Sequence, residues 1–294
     1  MTALASELIL MAALFTVVLD QYAHKRVEQL GGVNTWGYRG PVMKQRLPHE
    51  FRIAVVGGDA AFGWGVAPAE TTADYLRTEV QGMLAGSGES IHVTAVNLGA
   101  LGMPARDYSS RLAQFGYLAP DVICLYLDLA DTRTGSVVPS RNSAVTALTG
   151  YVPMLPLVLT EKGLPLAAVG SALAFIDRRL HALMAPVETA PEPREISIGR
   201  AVHTALGLAP VVVVLPAPTT PASRIEHARL LQTLSERAQT SPRLRLVDLG
   251  EQPRLVDPNL FLDGVNYGAA GQSLVADAIA PAIDGFLPVR QVSP

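Results

Sequence analysis

A chain of 294 residues is long enough for one large or two small domains with a sizeable buried core. Its net charge of -3 and pI near 6.1 supply no basic field, which excludes nucleic acid as a partner. Charged residues make up 17% against about a quarter in ordinary domains, and hydrophobic residues reach 49%, so part of the apolar surface is expected to face lipid or another protein.

The chain opens with MTALASELILMAALFTVVLDQYAHKR. Residues 3–19 are apolar apart from Thr, Ser and Glu7, and they are closed by Asp20 and the cluster His24, Lys25 and Arg26. That length is at the short end of what spans a bilayer. No basic residue precedes the run and no small-residue cleavage site follows it, so it does not read as a signal peptide. An uncleaved membrane anchor over residues 1–24 is the expectation, touching lipid through residues 3–19 and followed by a connecting segment at 25–50. An amphipathic or buried N-terminal helix is the other reading. The basic cluster after the run would, by the positive-inside rule, hold the following domain in the cytoplasm.

Beyond the anchor, strand and helix patterns alternate. Strands are expected at residues 52–56, 92–96, 122–127, 210–215 and 244–249, and helices at 71–84, 105–118, 223–238 and 269–286. Runs apolar at every position, such as VVVVL, suit central strands covered on both faces. The fold class that follows is α/β, a three-layer α/β/α domain over residues 51–288 around a five-stranded, mainly parallel sheet. Cys124 lies in the strand run VICLYL as a core residue, and a single cysteine excludes an intrachain disulfide. Residues 135–209 form an expected apolar insertion, with a helix candidate at 164–184 and the proline-rich link APVETAPEPRE. It reads either as an ordinary crossover with a long loop or as a segment that docks on a partner or a membrane.

Ligands of open α/β sheets bind at the carboxyl ends of the strands. The corresponding stretches are residues 57–61, 97–102, 128–132, 216–219 and the sequence DGVNYGAAG. GGDAAFGWG does not fit the dinucleotide fingerprint or a phosphate loop, so no nucleotide and no other cofactor is expected. Asp59, Asp128, Asp131 and Asp263 fall at strand ends and could converge on a metal, but ordinary solvated acids explain them as well, and no metal is assigned.

Taken in order, NTWGYRGP, RIAVVGGDAAFGWGV, VNLGALGMPARDY, LYLDLADTR and LDGVNYGAAGQSLVADAI resemble the SGNH (GDSL-like) hydrolases, in particular the membrane-anchored bacterial type, over roughly residues 34–135 and 210–287. The resemblance implies an SGNH/flavodoxin-like sheet and four site positions. The nucleophile position is Asp59, where the family has serine. Gly102 keeps the glycine whose N–H would be an oxyanion donor. Ala130 stands where the family has its asparagine donor. In the last block Asp263 keeps the orienting acid, while Asn266 replaces the histidine base.

A serine mechanism needs a base that takes a proton and returns it to the leaving group, and Asn266 can do neither. With Asp59, Ala130 and Asn266 at those positions the sequence predicts no catalytic residues and no enzyme. Asp59 is expected to cap the following turn by accepting backbone N–H bonds. None of the six histidines lies in a matching block. The function expected is that of a membrane-anchored structural or interaction subunit bound to other membrane protein subunits, with its domain in the bacterial periplasm, where anchored members of the family generally work. The alternative is an esterase or O-acyltransferase with a rearranged active site.

Overall fold

The computed structural model describes residues 2–34, 36–85, 90–129 and 192–288. The chain divides into two compact units, Met1–Val42 with Val137–Glu188, and Met43–Ser136 with Thr189–Pro294.

In the first unit, helix α1 runs Thr2–Gly31. Leu10, Met11, Leu14 and Phe15 are exposed on it, whereas Asp20, Ala23 and His24 are buried, with His24 Nε2 3.6 Å from Asp20 Oδ2. Among the described residues no helix is long and apolar enough to cross a membrane. The spanning anchor expected over residues 3–19 is therefore not supported. Only residues 8–19 separate Glu7 from Asp20, well short of the roughly 20 apolar residues that a spanning helix needs. The helix also continues past the expected end at residue 24.

The second unit carries the α/β fold. Its elements are β1 (Glu50–Gly57), α2 (Asp59–Phe62), α3 (Thr72–Ala85), β2 (His92–Asn97), α4 (Tyr108–Phe115), β3 (Val122–Tyr126), α5 (Arg194–Leu208), β4 (Val211–Leu215), α6 (Pro221–Thr240), β5 (Leu244–Asp248) and α7 (Ala269–Asp284). The sheet has five strands in the order β2-β1-β3-β4-β5, and every pairing is parallel. The three central strands are buried along their whole length, which is why β3 and β4 read as unbroken apolar runs, as does β1 after Arg52. The edge strands β2 and β5 mix buried and more open positions.

Helix α7 packs on α3, and between them and one face of the sheet lie Leu76, Val80, Val275, Ile279 and Ile283. On the other side α4 packs on α5. Cys124 is buried and free, and burial pushes its thiol up to about 12. The expected insertion at 135–209 is corrected at its end: residues 194–208 are a helix of the α/β unit, packed through Ile198, Ala201, Val202 and Ala205. The rest of that stretch, with the helix candidate at 164–184, lies outside the described residues.

Candidate active site

The strand order changes direction at β1: the chain steps out to β2 on one side and returns to β3 on the other. At such a switch point the crossovers leave in opposite directions, and a crevice opens beyond the carboxyl ends of the two strands. Asp59 follows β1 there and Asp128 follows β3. The glycines between strand and helix allow the two acids to approach. A Cβ on Gly57 would run into the carbonyl oxygen of Tyr126, and one on Gly58 into Oδ2 of Asp128.

The two carboxyls are held differently. Asp59 Oδ1 accepts the N–H of Gly102 at 2.6 Å. Asp128 Oδ1 accepts the N–H of Ala60 at 3.4 Å, and its Oδ2 accepts the hydroxyl of Tyr108 at 3.1 Å. Helix α2 begins at Asp59, after Gly58, which has no side chain to cap it. Asp128 meets the first turn instead, and Asp59 reaches across to the loop after β2. That loop is fixed by Asn97, whose Oδ1 accepts the N–H of Gly99 at 2.9 Å while its Nδ2 donates to the carbonyl of Phe62 at 3.2 Å. Gly102 sits at φ 65°, which a residue with a side chain rarely adopts. The N–H that the family resemblance assigns to an oxyanion is thus engaged by Asp59.

Asp263 and Asn266 form a closed turn before α7. Asp263 Oδ1 accepts the N–H of Val265 at 3.0 Å and of Asn266 at 2.7 Å, and Oδ2 accepts Nδ2 of Asn266 at 2.8 Å. Partial burial acts to raise this carboxyl, but the bonds from Asn266 and Val265 outweigh it and hold it below its ordinary value. A cleft of about 350 Å³ brings Asp59, Asp128, Thr219, Ser223, Asp263 and Asn266 to one surface. Ala130 and Asp131 lie outside the described residues.

Asp128 is the perturbed group of the cleft. Burial, and then the charge on Asp59, push its carboxyl up to about 6, against the opposing bonds from Ala60 and Tyr108 and the charge of Arg194. A buried carboxyl beside another negative charge keeps its proton to a higher pH than an exposed one. Among the described residues no three His, Cys, Asp or Glu side chains are grouped to hold a metal, and no histidine lines the cleft. His227 pairs with Asp248, the last residue of β5, at 2.7 Å. Sequence reasoning considered Asp128 only as a metal ligand and missed Tyr108. The strand-end rule points to Asp128, but no sequence signal marks Tyr108.

No family model and no curated protein matches the chain. Solved structures do. One is a two-domain esterase active on acetylated mannans, at 15% identity and a TM-score of 0.44, over 81% of this chain and 50% of that one. Another is a lipolytic protein of the G-D-S-L family from Veillonella parvula, at 11% identity and 0.48, over 80% and 98%. A third is a lipase/acylhydrolase from Enterococcus faecalis, at 16% identity and 0.45, over 82% and 100%.

The likeness is to GDSL/SGNH-type hydrolases. It is a likeness of fold, and the chain spans about half the length of the two-domain esterase. The expectation of a chain that is not an enzyme is corrected here, because the similar structures are an esterase, a lipolytic protein and a lipase/acylhydrolase. That expectation sought a base at position 266 and among the six histidines, whereas the cleft sets the carboxyls of Asp59 and Asp128 on one surface.

Proposed function

We propose that the chain is an SGNH-fold enzyme of acyl-ester chemistry, an esterase or O-acyltransferase with a rearranged active site. The observation that supports this most is the carboxyl pair at the switch point, with Asp128 held near 6 beside the charge of Asp59. An acid poised near neutrality next to an ionised partner is what proton transfer in both directions requires. Water, or an acceptor hydroxyl, attacks the acyl carbon and passes its proton to Asp59. The tetrahedral oxyanion collapses, the bond from the acyl carbon to the alcohol oxygen breaks, and Asp128 gives its proton to that oxygen. The proton on Asp59 then moves to Asp128 and restores the pair.

Hydrolysis of p-nitrophenyl acetate and butyrate tests the proposal. Turnover should fall about 100-fold or more in both Asp59→Asn and Asp128→Asn, the scale of removing a positioned acid or base. It should also decline as the pH rises through about 6, where Asp128 loses the proton it donates. A wild-type chain without turnover, or variants that keep full activity, would overturn the reading.

The exposed apolar side chains of α1, among them Leu10, Leu14 and Phe15 at 72%, 65% and 63% exposure, favour a second proposal, that this helix lies on a lipid surface and holds the enzyme there. Flotation with phosphatidylcholine vesicles should be lost in Leu14→Glu/Phe15→Glu. Equal flotation of the variant would rule it out.

A further inference from the structure

The turn before α7 carries apolar side chains where a solvated turn ordinarily carries polar ones. It is fixed from within: the Leu262 N–H donates to the Asn266 carbonyl at 2.8 Å, Asp263 accepts the N–H groups of Val265 and Asn266, and Phe261 bridges Tyr267 at its base. On this turn Leu262 and Val265 are 55% and 58% exposed, and Val265 lines the cleft beside Asp263 and Asn266. Leu262 reaches the segment that follows α2. A Cβ on Gly65 would stand 2.5 Å from Leu262 Cδ1, so the glycine makes room for that contact, and the next residue back, Trp64, is 41% exposed. Single exposed apolar residues are ordinary, whereas these begin at the wall of a cleft and lead outward from it.

An ester whose acyl carbon lies beside Asp59 and Asp128 must send its acyl chain along one part of the wall. The carboxyls and the hydroxyls of Thr219 and Ser223 make the rest of that wall polar, and methylenes laid on them would displace water that those groups need. Resting on the acyl-ester reading above, we propose that the acyl chain leaves the cleft past Val265 and lies across Leu262 towards Trp64, so that the enzyme takes medium-chain acyl esters in preference to acetyl esters. Leu262 and Val265 are then specificity-determining residues. Chain and turn both lose apolar surface to water on binding, which favours the complex about fourfold for each methylene that is fully buried and less for one that lies on an open rim.

The test compares p-nitrophenyl acetate with p-nitrophenyl octanoate, both kept monomeric, on the full chain and on its Leu262→Asn/Val265→Thr variant. Wild type should prefer octanoate by at least about tenfold in kcat/KM, and the variant should lose most of that preference, a ratio that does not depend on how much of the variant is folded. Leu208→Asn, at an exposed leucine that ends α5 just before the amino end of β4, should keep the preference. Equal kcat/KM for the two esters, or a preference that survives the double substitution, overturns the inference and leaves the carboxyl-pair reading standing. Octanamide binding, followed by tryptophan fluorescence, gives a readout without turnover. Wild type should bind it at least about tenfold more tightly than acetamide, and the variant should hardly distinguish the two. If that selectivity appears in a chain that hydrolyses neither ester, the acyl-chain surface holds and the carboxyl-pair reading falls. If it is absent, the acyl-chain surface falls whatever the turnover.

Discussion

The two ends of the sheet treat charge in opposite ways. At the amino ends of the strands, opposite charges are matched and fully bonded. Glu50 Oε1 takes Arg52 Nε and the Thr94 hydroxyl, each at 2.7 Å, and Oε2 takes the Leu47 N–H at 2.8 Å. The remaining donors of Arg52 go to the carbonyls of Leu118 and Lys44, each at 2.9 Å, and Asp121 accepts both the Arg52 N–H and the guanidinium of Arg46. At the carboxyl ends, like charges are set together, with Asp59, Asp128 and Asp263 lining one cleft. Both ends use the same residue types, so composition does not distinguish a structural cluster from a reactive one. Whether each charge has its partner does.

The largest effect expected from breaking this contrast is at the amino end. Arg52 and Glu50 expose only 4% and 3% of their side chains, so Arg52→Ala leaves a buried carboxylate without its partner. Loss of about 3–5 kcal/mol of unfolding free energy is expected, read by denaturant titration, with turnover per folded molecule unchanged. A loss under about 1 kcal/mol would mean that the network is more solvated than its geometry implies.

The acids of the two ends also respond to pH with opposite sign. Burial alone would raise Glu50, but the bonds from Arg52, Leu47 and Thr94 bring it down to about 2 from its ordinary 4.5. Its contribution is complete above 4.5 and is lost as the pH falls towards 2. Asp128 is raised from 3.8 to about 6, so the folded chain holds a proton that the unfolded chain has released. Its contribution is complete below 3.8 and disappears as the pH rises through 6. Asp128→Asn, which mimics the protonated form, should therefore match wild type near pH 4 and exceed it by about 1–3 kcal/mol at pH 7.5. A difference independent of pH would show that the Asp128 carboxyl titrates normally.

The sequence carried the strands better than the site, for a physical reason. Central strands covered on both faces must be apolar at every position, and VVVVL cannot be mistaken for a solvated helix. The pattern expected at 105–118 resolves into α4 between two 3-10 turns, bounded by Pro104 and Gly116. Helix α5 escaped notice because its buried stripe is largely small, Ser197, Ala201 and Ala205 around Ile198 and Val202, and it follows a proline-rich stretch. Asp59, Asp128 and Asp263 were legible as strand-end acids. Their relations were not: the bond from Gly102 to Asp59, for one, depends on how the loop after β2 folds back. The inactive site expected from positions 59, 130 and 266 was read from the family's positions one by one, and the sequence alone could not show a second carboxyl beside Asp59.

The smallest expected effect is at Asn266, which lies in the cleft and whose side-chain amide bonds Asp263. Asn266→Ala removes the amide bond and keeps the two backbone N–H bonds to Asp263 Oδ1. The Asp263 carboxyl should then move upward, part of the way to its ordinary 3.8, because one of the bonds that outweigh its partial burial is gone. Stability should fall by no more than about 1 kcal/mol, as for one exposed side-chain bond. An NMR titration of the Asp263 carboxyl in wild type and variant measures the shift directly. An unmoved carboxyl would mean that the backbone bonds alone set it. If instead the variant lowers turnover as far as Asp59→Asn does, proton transfer runs through the Asp263–Asn266 turn, and the contrast between the paired and unpaired acids of this end has been drawn at the wrong carboxyl.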